Sequence, residues 1–377
     1  MRSYKTEGGL QVPAFEQRLS IIGRGIRAFL NLQAGLIRDG AVPELLRTEQ
    51  ERSLKEARLE LESKDQELAE LRARLLRSST VTEAEGLKPE NVVWIFGTGR
   101  SGNTWLAAMM ESAGHAVWKE PAIGKLFGEF YYGSRDSQRG NAKFVLGDPR
   151  KDVWLGSMRR FVLEGASGRF PELSDDDFLV VKEQVGSMGA PLLTEALPES
   201  RVIFLVRDPR DVVSSWLDGS REGAWHQANM ARKNPKRAPR AEEDPNRYVK
   251  QLATHYLKNV GKAAEAYSAH QGPKALVRYE ELRTDALGEM RRIHSTLGMS
   301  VDEEKLERSV HEHSWENIPE EEKGEGKFRR KATPGGWRED LSAEQARVVE
   351  DTTRPLLEEF YPHEAHSEQL SEKSPLG

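Results

Sequence analysis

Residues 95–106 read IFGTGRSGNTWL and follow the apolar run Val92-Val93-Trp94-Ile95-Phe96. A buried strand that breaks into a loop holding Gly97, Gly99 and Gly102, and then enters a helix, constrains the fold more than any other stretch. Glycine lets the backbone come close to an anion, and the first turn of the following helix points free N–H groups at the same spot. The spacing nearly satisfies the phosphate-binding consensus G-x-x-x-x-G-K-[ST]. Gly97, Gly102 and Thr104 are in place, but Asn103 stands where the lysine belongs. That lysine reaches the β- and γ-phosphates of a nucleoside triphosphate. Its absence speaks against ATP or GTP hydrolysis, though not against phosphate binding. Arg100 can neutralise an anion through paired hydrogen bonds, and the Thr104 hydroxyl can add another.

The rest of the chain supplies partners for such a strand. Strands are expected at 92–96, 178–182, 202–206 and 275–278, and helices at 103–113, 211–217, 248–268, 284–297 and 342–359. This alternation predicts an α/β fold of three layers, with a central parallel sheet flanked by helices. The 377 residues suffice for one large catalytic domain plus accessory segments. A net charge of −5 gives no global argument for nucleic acid, and the absence of cysteine excludes disulfides, thiolate metal sites and cysteine nucleophiles. No apolar run approaches the length of a membrane span, and MRSYKTEGG lacks the order of a signal peptide, so a cytoplasmic location is expected.

The first 90 residues have a different character. Residues 1–44 read as a helical segment whose 18–38 stretch mixes a broad apolar face with arginines. Peripheral membrane contact and packing on protein both fit that face. Within 45–78, Leu54, Leu61, Leu68 and Leu75 recur every seven residues, with Ala57, Lys64 and Leu71 between them. This is a coiled-coil pattern that would join copies of the chain, weakened by Lys64; a single docked helix is the competing reading. Residues 79–90 read as a linker, 91–362 as the catalytic domain and 363–377 as a flexible tail. The polar, Pro-containing stretch 220–247 reads as a surface insertion, either a mobile lid or an ordinary loop.

Two further segments carry anion chemistry. In VIFLVRDPRDVVSSW, 202–216, a strand delivers Arg207 and Arg210 to the start of a helix that also bears Ser214 and Ser215. RDPRD alone also fits a salt-bridged helix start. In KFRRKATPGGWREDLS, 327–342, Arg329, Arg330 and Lys331 precede a turn at Pro334-Gly335-Gly336 that brings in Trp337.

Taken in order, the three segments resemble the sulfotransferases that use 3′-phosphoadenylyl sulfate (PAPS). The resemblance covers roughly residues 91–362 and leaves out the N-terminal 90. It implies that Gly99, Arg100, Ser101, Gly102, Asn103, Thr104 and Trp105 surround the 5′-phosphosulfate. Arg207 and Ser215 would hold the 3′-phosphate, joined by Arg330, Lys331 and Gly335. Ala332 departs from the glycine common in that family. The lysine missing at Asn103 is what the family pattern leads one to expect. PAPS is then the co-substrate and 3′,5′-ADP the product, with no metal required.

The resemblance also bears on the base. Many members place a histidine after a Lys-Thr pair, but here Lys182 is followed by Glu183 and Gln184. Other branches use a glutamate after the first helix, and HAVWKEPA, 115–122, offers Glu120 there. Glu120 is the first candidate for general base, Glu183 the second and His115 the third, with Lys182 and Lys119 available to the sulfonate. Trp118, Phe127, Phe130, Tyr131 and Tyr132 fit either an acceptor pocket or the core. The acceptor is a hydroxyl or amine on a small molecule, glycan or lipid. Two alternatives stand beside this reading: a kinase-like phosphotransferase, and a nucleotide-binding coiled-coil assembly protein without turnover.

Overall fold

A computed structural model describes residues 87–134, 136–233 and 244–362, together with scattered helical positions between 55 and 67. The heptad leucines, the 18–38 face, residues 234–243 and the tail lie outside the described residues. The chain divides into two compact units, one of 1–81 with 134–156 and the other of 82–133 with 157–377. In the first, a short helix spans Asp136–Arg139, and the Trp154 indole donates to the Gly147 carbonyl at 3.1 Å.

The second unit is built on a sheet. Strands β1 (Val92–Phe96), β2 (Ala116–Lys119), β3 (Leu179–Lys182), β4 (Arg201–Val206) and β5 (Lys274–Arg278) lie in the order β2-β3-β1-β4-β5. Every pair is parallel. Parallel strands covered on both faces need near-continuous apolar runs, which is what VVWIF and RVIFLV provide. Alternation sends successive side chains to opposite faces.

Between the strands run α1 (Asn103–Ser112), α2 (Ile123–Gly133), α3 (Lys151–Arg169), α4 (Ala190–Ala196), α5 (Pro209–Gly219), α6 (Trp225–Lys233) and α7 (Pro245–Ala269). After β5 come α8 (Tyr279–Thr284), α9 (Ala286–Leu297), α10 (Glu303–Glu312) and α11 (Ala343–Phe360). Val93, Ile95 and Ile203 pack with Leu106 and Met110 of α1, Ile293 of α9 and Leu306 of α10. On the opposite side Phe204 meets Tyr267 of α7 and Phe360 of α11 at ring distances of 5.8 and 5.4 Å. A second cluster of Val213, Val249, Ala253, Val349 and Trp337 joins α5, α7 and α11.

All four expected strands are present within one residue of their predicted limits. The fifth, β2, is a four-residue edge strand that is only partly buried, too short and too mixed to show a period. The polar stretch 220–247 is not a plain loop, since α6 occupies Trp225–Lys233 and α7 starts at Pro245. Among the described residues no helix is long and apolar enough to cross a membrane.

His115, the third candidate base, lies just before β2, at the end of the sheet opposite to the one where the strands' C-termini gather. It is buried and paired with His294 through Nε2 atoms 2.9 Å apart. His294 Nδ1 lies 2.7 Å from the Met290 carbonyl, so it carries the proton there. Burial, then the His294 charge, pulls His115 down to about 4. It is a packed neutral pair.

Candidate active site

All five strands release their C-terminal residues at one edge, the place where open α/β sheets bind ligands. β1 gives way to the glycine loop, β2 to Glu120, β3 ends on Lys182, β4 is followed by Arg207 and β5 by Tyr279. Register fixes two of these directly, since Ile95, one residue before the end of β1, pairs with Lys182.

The loop is buckled by one of its own side chains and tied to the turn after β3. Asn103 Nδ2 donates to the Thr98 carbonyl at 2.8 Å, and Gly97 N donates to Ser187 Oγ at 3.0 Å. Gly102, the N-cap of α1, has φ 96°, and a Cβ there would meet the Tyr279 ring at 2.7 Å. A Cβ on Gly99 would strike Trp216 at 2.6 Å. Arg100 has φ 73° without being glycine. Such backbone costs on the order of 1–3 kcal/mol and collects where function requires it.

Around the loop is a cavity of about 480 Å³. Gly99, Arg100, Gly102, Asn103, Thr104 and Trp105 line it from the first segment. Arg207 and Ser215 come from the second, and Arg330 and Lys331 from the third. Two of the predicted donor-binding residues are absent from its walls. Ser101 is fully buried behind the loop, and Gly335 serves as a tether.

Three arginines converge here. Arg100 Nε donates to Ser215 Oγ at 2.9 Å, and Arg207 donates to the Arg100 carbonyl at 3.0 Å. Arg207 Nε is buried without a hydrogen-bond partner, and the guanidinium lies 4.2 Å from the Tyr279 ring centre. Arg330 donates to Ser214 Oγ at 3.0 Å and to Asp340 at 2.5 Å, while Lys331 reaches Glu339 and Asp340. Burial, then the charges of Arg207 and Arg330, presses Arg100 down to about 10. Crowded cations with an orphaned donor are what a polyanion would relieve.

RDPRD splits into two roles. Arg207 faces the cavity, whereas Arg210 is almost fully buried in ion pairs with Asp208 at 2.7 Å and Glu350 at 3.0 Å. Asp211 accepts from Gly335 N at 2.7 Å and Trp337 N at 3.0 Å, which ties the third segment to the second. Burial pushes its carboxyl upward.

The proton-handling candidates separate. Lys182 Nζ lies 3.2 Å from Thr104 Oγ1 and 2.9 Å from Glu120 Oε1. Glu120 Oε2 accepts from Val185 N at 3.0 Å, and Oε1 is buried with the ammonium as an ion pair but no aligned hydrogen-bond donor. Glu120 and Ala122 have φ 53° and 59°, so the chain is bent to present this carboxylate. Glu183 points elsewhere: it is fully buried, and its Oε1 accepts from Ile123 N at 2.7 Å at the start of α2. Lys119 is on the surface, paired with Glu111 at 2.5 Å. None of Trp118, Phe127, Phe130, Tyr131 and Tyr132 lines the cavity.

Sequence reasoning missed Trp216, Trp225, Tyr279, Trp315 and Phe328, all of which do. Trp216 and Phe328 fall inside the quoted segments without having been singled out, and Trp315 sits in an acidic stretch with no periodic signal. Among the described residues no group of His, Asp or Glu stands together that could hold a metal ion.

Burial, chiefly, pushes Glu183 up to about 7. As pH falls from 7 to 4.5 the folded chain takes a proton there before the unfolded chain does, which favours folding. His115 acts oppositely between 6.5 and 4, since the unfolded chain binds the proton that the folded one refuses. Glu183→Gln removes the offset. Its Tm should fall by roughly 5 °C more than wild type between pH 7 and pH 5. An equal fall in calorimetric scans would refute the offset.

Residues 90–361 match the family model described as a sulfotransferase domain. A mouse sulfotransferase, SULT7A1, complexed with PAP is 15% identical, with a TM-score of 0.43 over 76% of this chain and 90% of that one. The sulfotransferase STF9 of Mycobacterium avium is 14% identical, with a TM-score of 0.42 over 77% and 81%. A retinol dehydratase complexed with retinol and PAP is 17% identical, with a TM-score of 0.39 over 72% and 82%. No curated protein matches the chain in sequence.

Proposed function

The chain belongs to the sulfotransferase family and is a sulfotransferase; on that premise we propose that it moves the sulfonate of PAPS to a hydroxyl or amine, with Glu120 as general base. The observation that carries the donor assignment is the convergence of Arg100, Arg207 and Arg330 on one cavity, with Arg207 Nε left unpartnered. A nucleotide with phosphate at both 3′ and 5′ positions satisfies all three. Arg207, Ser215, Arg330 and Lys331 hold the 3′-phosphate. The loop amides, Arg100 and Thr104 hold the 5′-phosphosulfate.

The reaction forms one bond to sulfur and breaks another. The acceptor oxygen or nitrogen attacks sulfur in line, its proton passes to the Glu120 carboxylate, and the bridging S–O bond breaks with its electron pair going to the 5′-phosphate. Arg100 compensates the charge on that leaving group. Lys182, between Glu120 and Thr104, screens the sulfonate from the carboxylate and orients both. Positioning and charge compensation by these side chains supply the catalysis, so no metal is needed. Glu183 anchors α2 rather than the reacting proton. The acceptor is a small molecule, glycan or lipid, and residues 45–78 join copies of the chain.

Calorimetric titration with 3′,5′-ADP, 5′-AMP and ADP tests the donor. The 3′-phosphate should tighten binding at least a hundredfold through its charge-assisted hydrogen bonds. If 3′,5′-ADP binds no better than ADP, the assignment is wrong.

A further inference from the structure

Arg100 is fixed from outside as well as from its own loop. Its guanidinium donates to the Phe328 carbonyl at 2.6 Å and lies 4.9 Å from the Phe328 ring centre and 5.2 Å from that of Trp225. Phe328 belongs to a strap, residues 323–331, that turns back on itself. Gly324 N donates to the carbonyls of Arg329 and Arg330, and Lys323 bridges to Arg329. Two hydrogen bonds at Gly326 tie this strap to the helical body. Its carbonyl accepts from Trp225 N at 2.9 Å, and its N–H donates to Asp218 Oδ2 at 3.0 Å.

Asp218 belongs to no motif and does not line the cavity. It sits in the last turn of α5, three residues past Ser215, and is 3% exposed. Its Oδ1 is 3.6 Å from the exposed Arg221. A carboxylate buried at that depth is costly unless its oxygens are hydrogen-bonded or near positive charge. Here the strap amide supplies the bond. Arg221 supplies positive charge, and Asp218 in turn favours the charged form of Arg100.

We propose that Asp218 is a positioning residue of the donor site, which seats the strap at Gly326 and through Phe328 holds Arg100 against the phosphosulfate. This rests on the assignment of Arg100 to the donor. Without the Asp218 bond the strap lifts, Arg100 loses its carbonyl and ring contacts, and bound nucleotide leaves faster.

Stopped-flow dissociation of 3′,5′-ADP, read by tryptophan fluorescence, tests it. Asp218→Ala should release the nucleotide at least tenfold faster. Asp218→Asn keeps an acceptor oxygen for Gly326 N and should stay within about threefold of wild type. A covalent lock provides a check independent of the buried carboxylate. The chain has no cysteine, and a Cβ on Gly326 would lie 3.6 Å from that of Ala224, inside the span of a disulfide. In the Asp218→Ala background, Ala224→Cys with Gly326→Cys, oxidised after loading with 3′,5′-ADP, should restore slow release. Reduction should undo it. Wild-type release from Asp218→Ala, an Asn variant as fast as Ala, or an oxidised lock without effect would each overturn the proposal. Failure of the donor assignment would show separately, as a wild-type enzyme with no preference for 3′,5′-ADP over 5′-AMP, and would take the proposal with it.

Discussion

Glu120→Gln should lower turnover by about three orders of magnitude while 3′,5′-ADP binds within twofold of wild type. The expectation follows from where the carboxylate stands. Glu120 lies outside the nucleotide cavity but reaches it through Lys182, which touches both Oε1 and the Thr104 hydroxyl. Glutamine preserves the side-chain length and can still accept from Val185 N, so the bent backbone at 120–122 has no reason to relax. What it cannot do is take a proton from the attacking group. Steady-state release of 3′,5′-ADP from PAPS in the presence of an acceptor, set beside calorimetric affinity, separates the two effects. Undiminished turnover would remove Glu120 from the chemistry. A parallel loss of nucleotide affinity would recast it as a support for Lys182.

The second large effect is expected at Arg207. Arg207→Met should weaken 3′,5′-ADP by at least a hundredfold and 5′-AMP by less than fivefold, since charged hydrogen bonds to a phosphate contribute about 1.5–3 kcal/mol each. Arg207 is 8% exposed, its Nε has no partner, and its other nitrogens reach the Arg100 carbonyl and Asp211. Methionine fills similar space against Tyr279. Asp211 keeps its two backbone donors at Gly335 and Trp337, so the third segment stays attached. The ratio of the two affinities is therefore the informative quantity. Equal loss for both nucleotides would mean that Arg207 shapes the loop and does not read the 3′-phosphate.

Local chemistry explains which parts of this site were legible in the chain. Arg100, Thr104, Arg207 and Ser215 could be read because each follows a strand whose apolar run is continuous, so its place at the sheet's edge is set by sequence alone. Lys182 and Glu120 were legible only as alternatives among acidic and basic neighbours. Only the fold shows how differently Glu120 and Glu183 are placed, because β3 turns Lys182 toward Thr104 and sends Glu183 to the amide of Ile123. The strap and the aromatic wall were hidden for another reason. Trp225, Trp315 and Phe328 come together through long-range packing across segments with no period, and Asp218 looks like any other helical aspartate until Gly326 is folded onto it.

Asn103 has a bearing on how such a loop diverges from its nucleotide-hydrolysing cousins. Asn103 is 1% exposed although it borders the cavity, and its amide nitrogen donates to the Thr98 carbonyl, which closes the loop. A lysine substituted there would lose the bond to Thr98 and open the buckle. The two kinds of phosphate loop thus differ in how the loop is closed as well as in the cation it carries. An exchange at 103 alone would therefore meet an opened loop before it met a triphosphate.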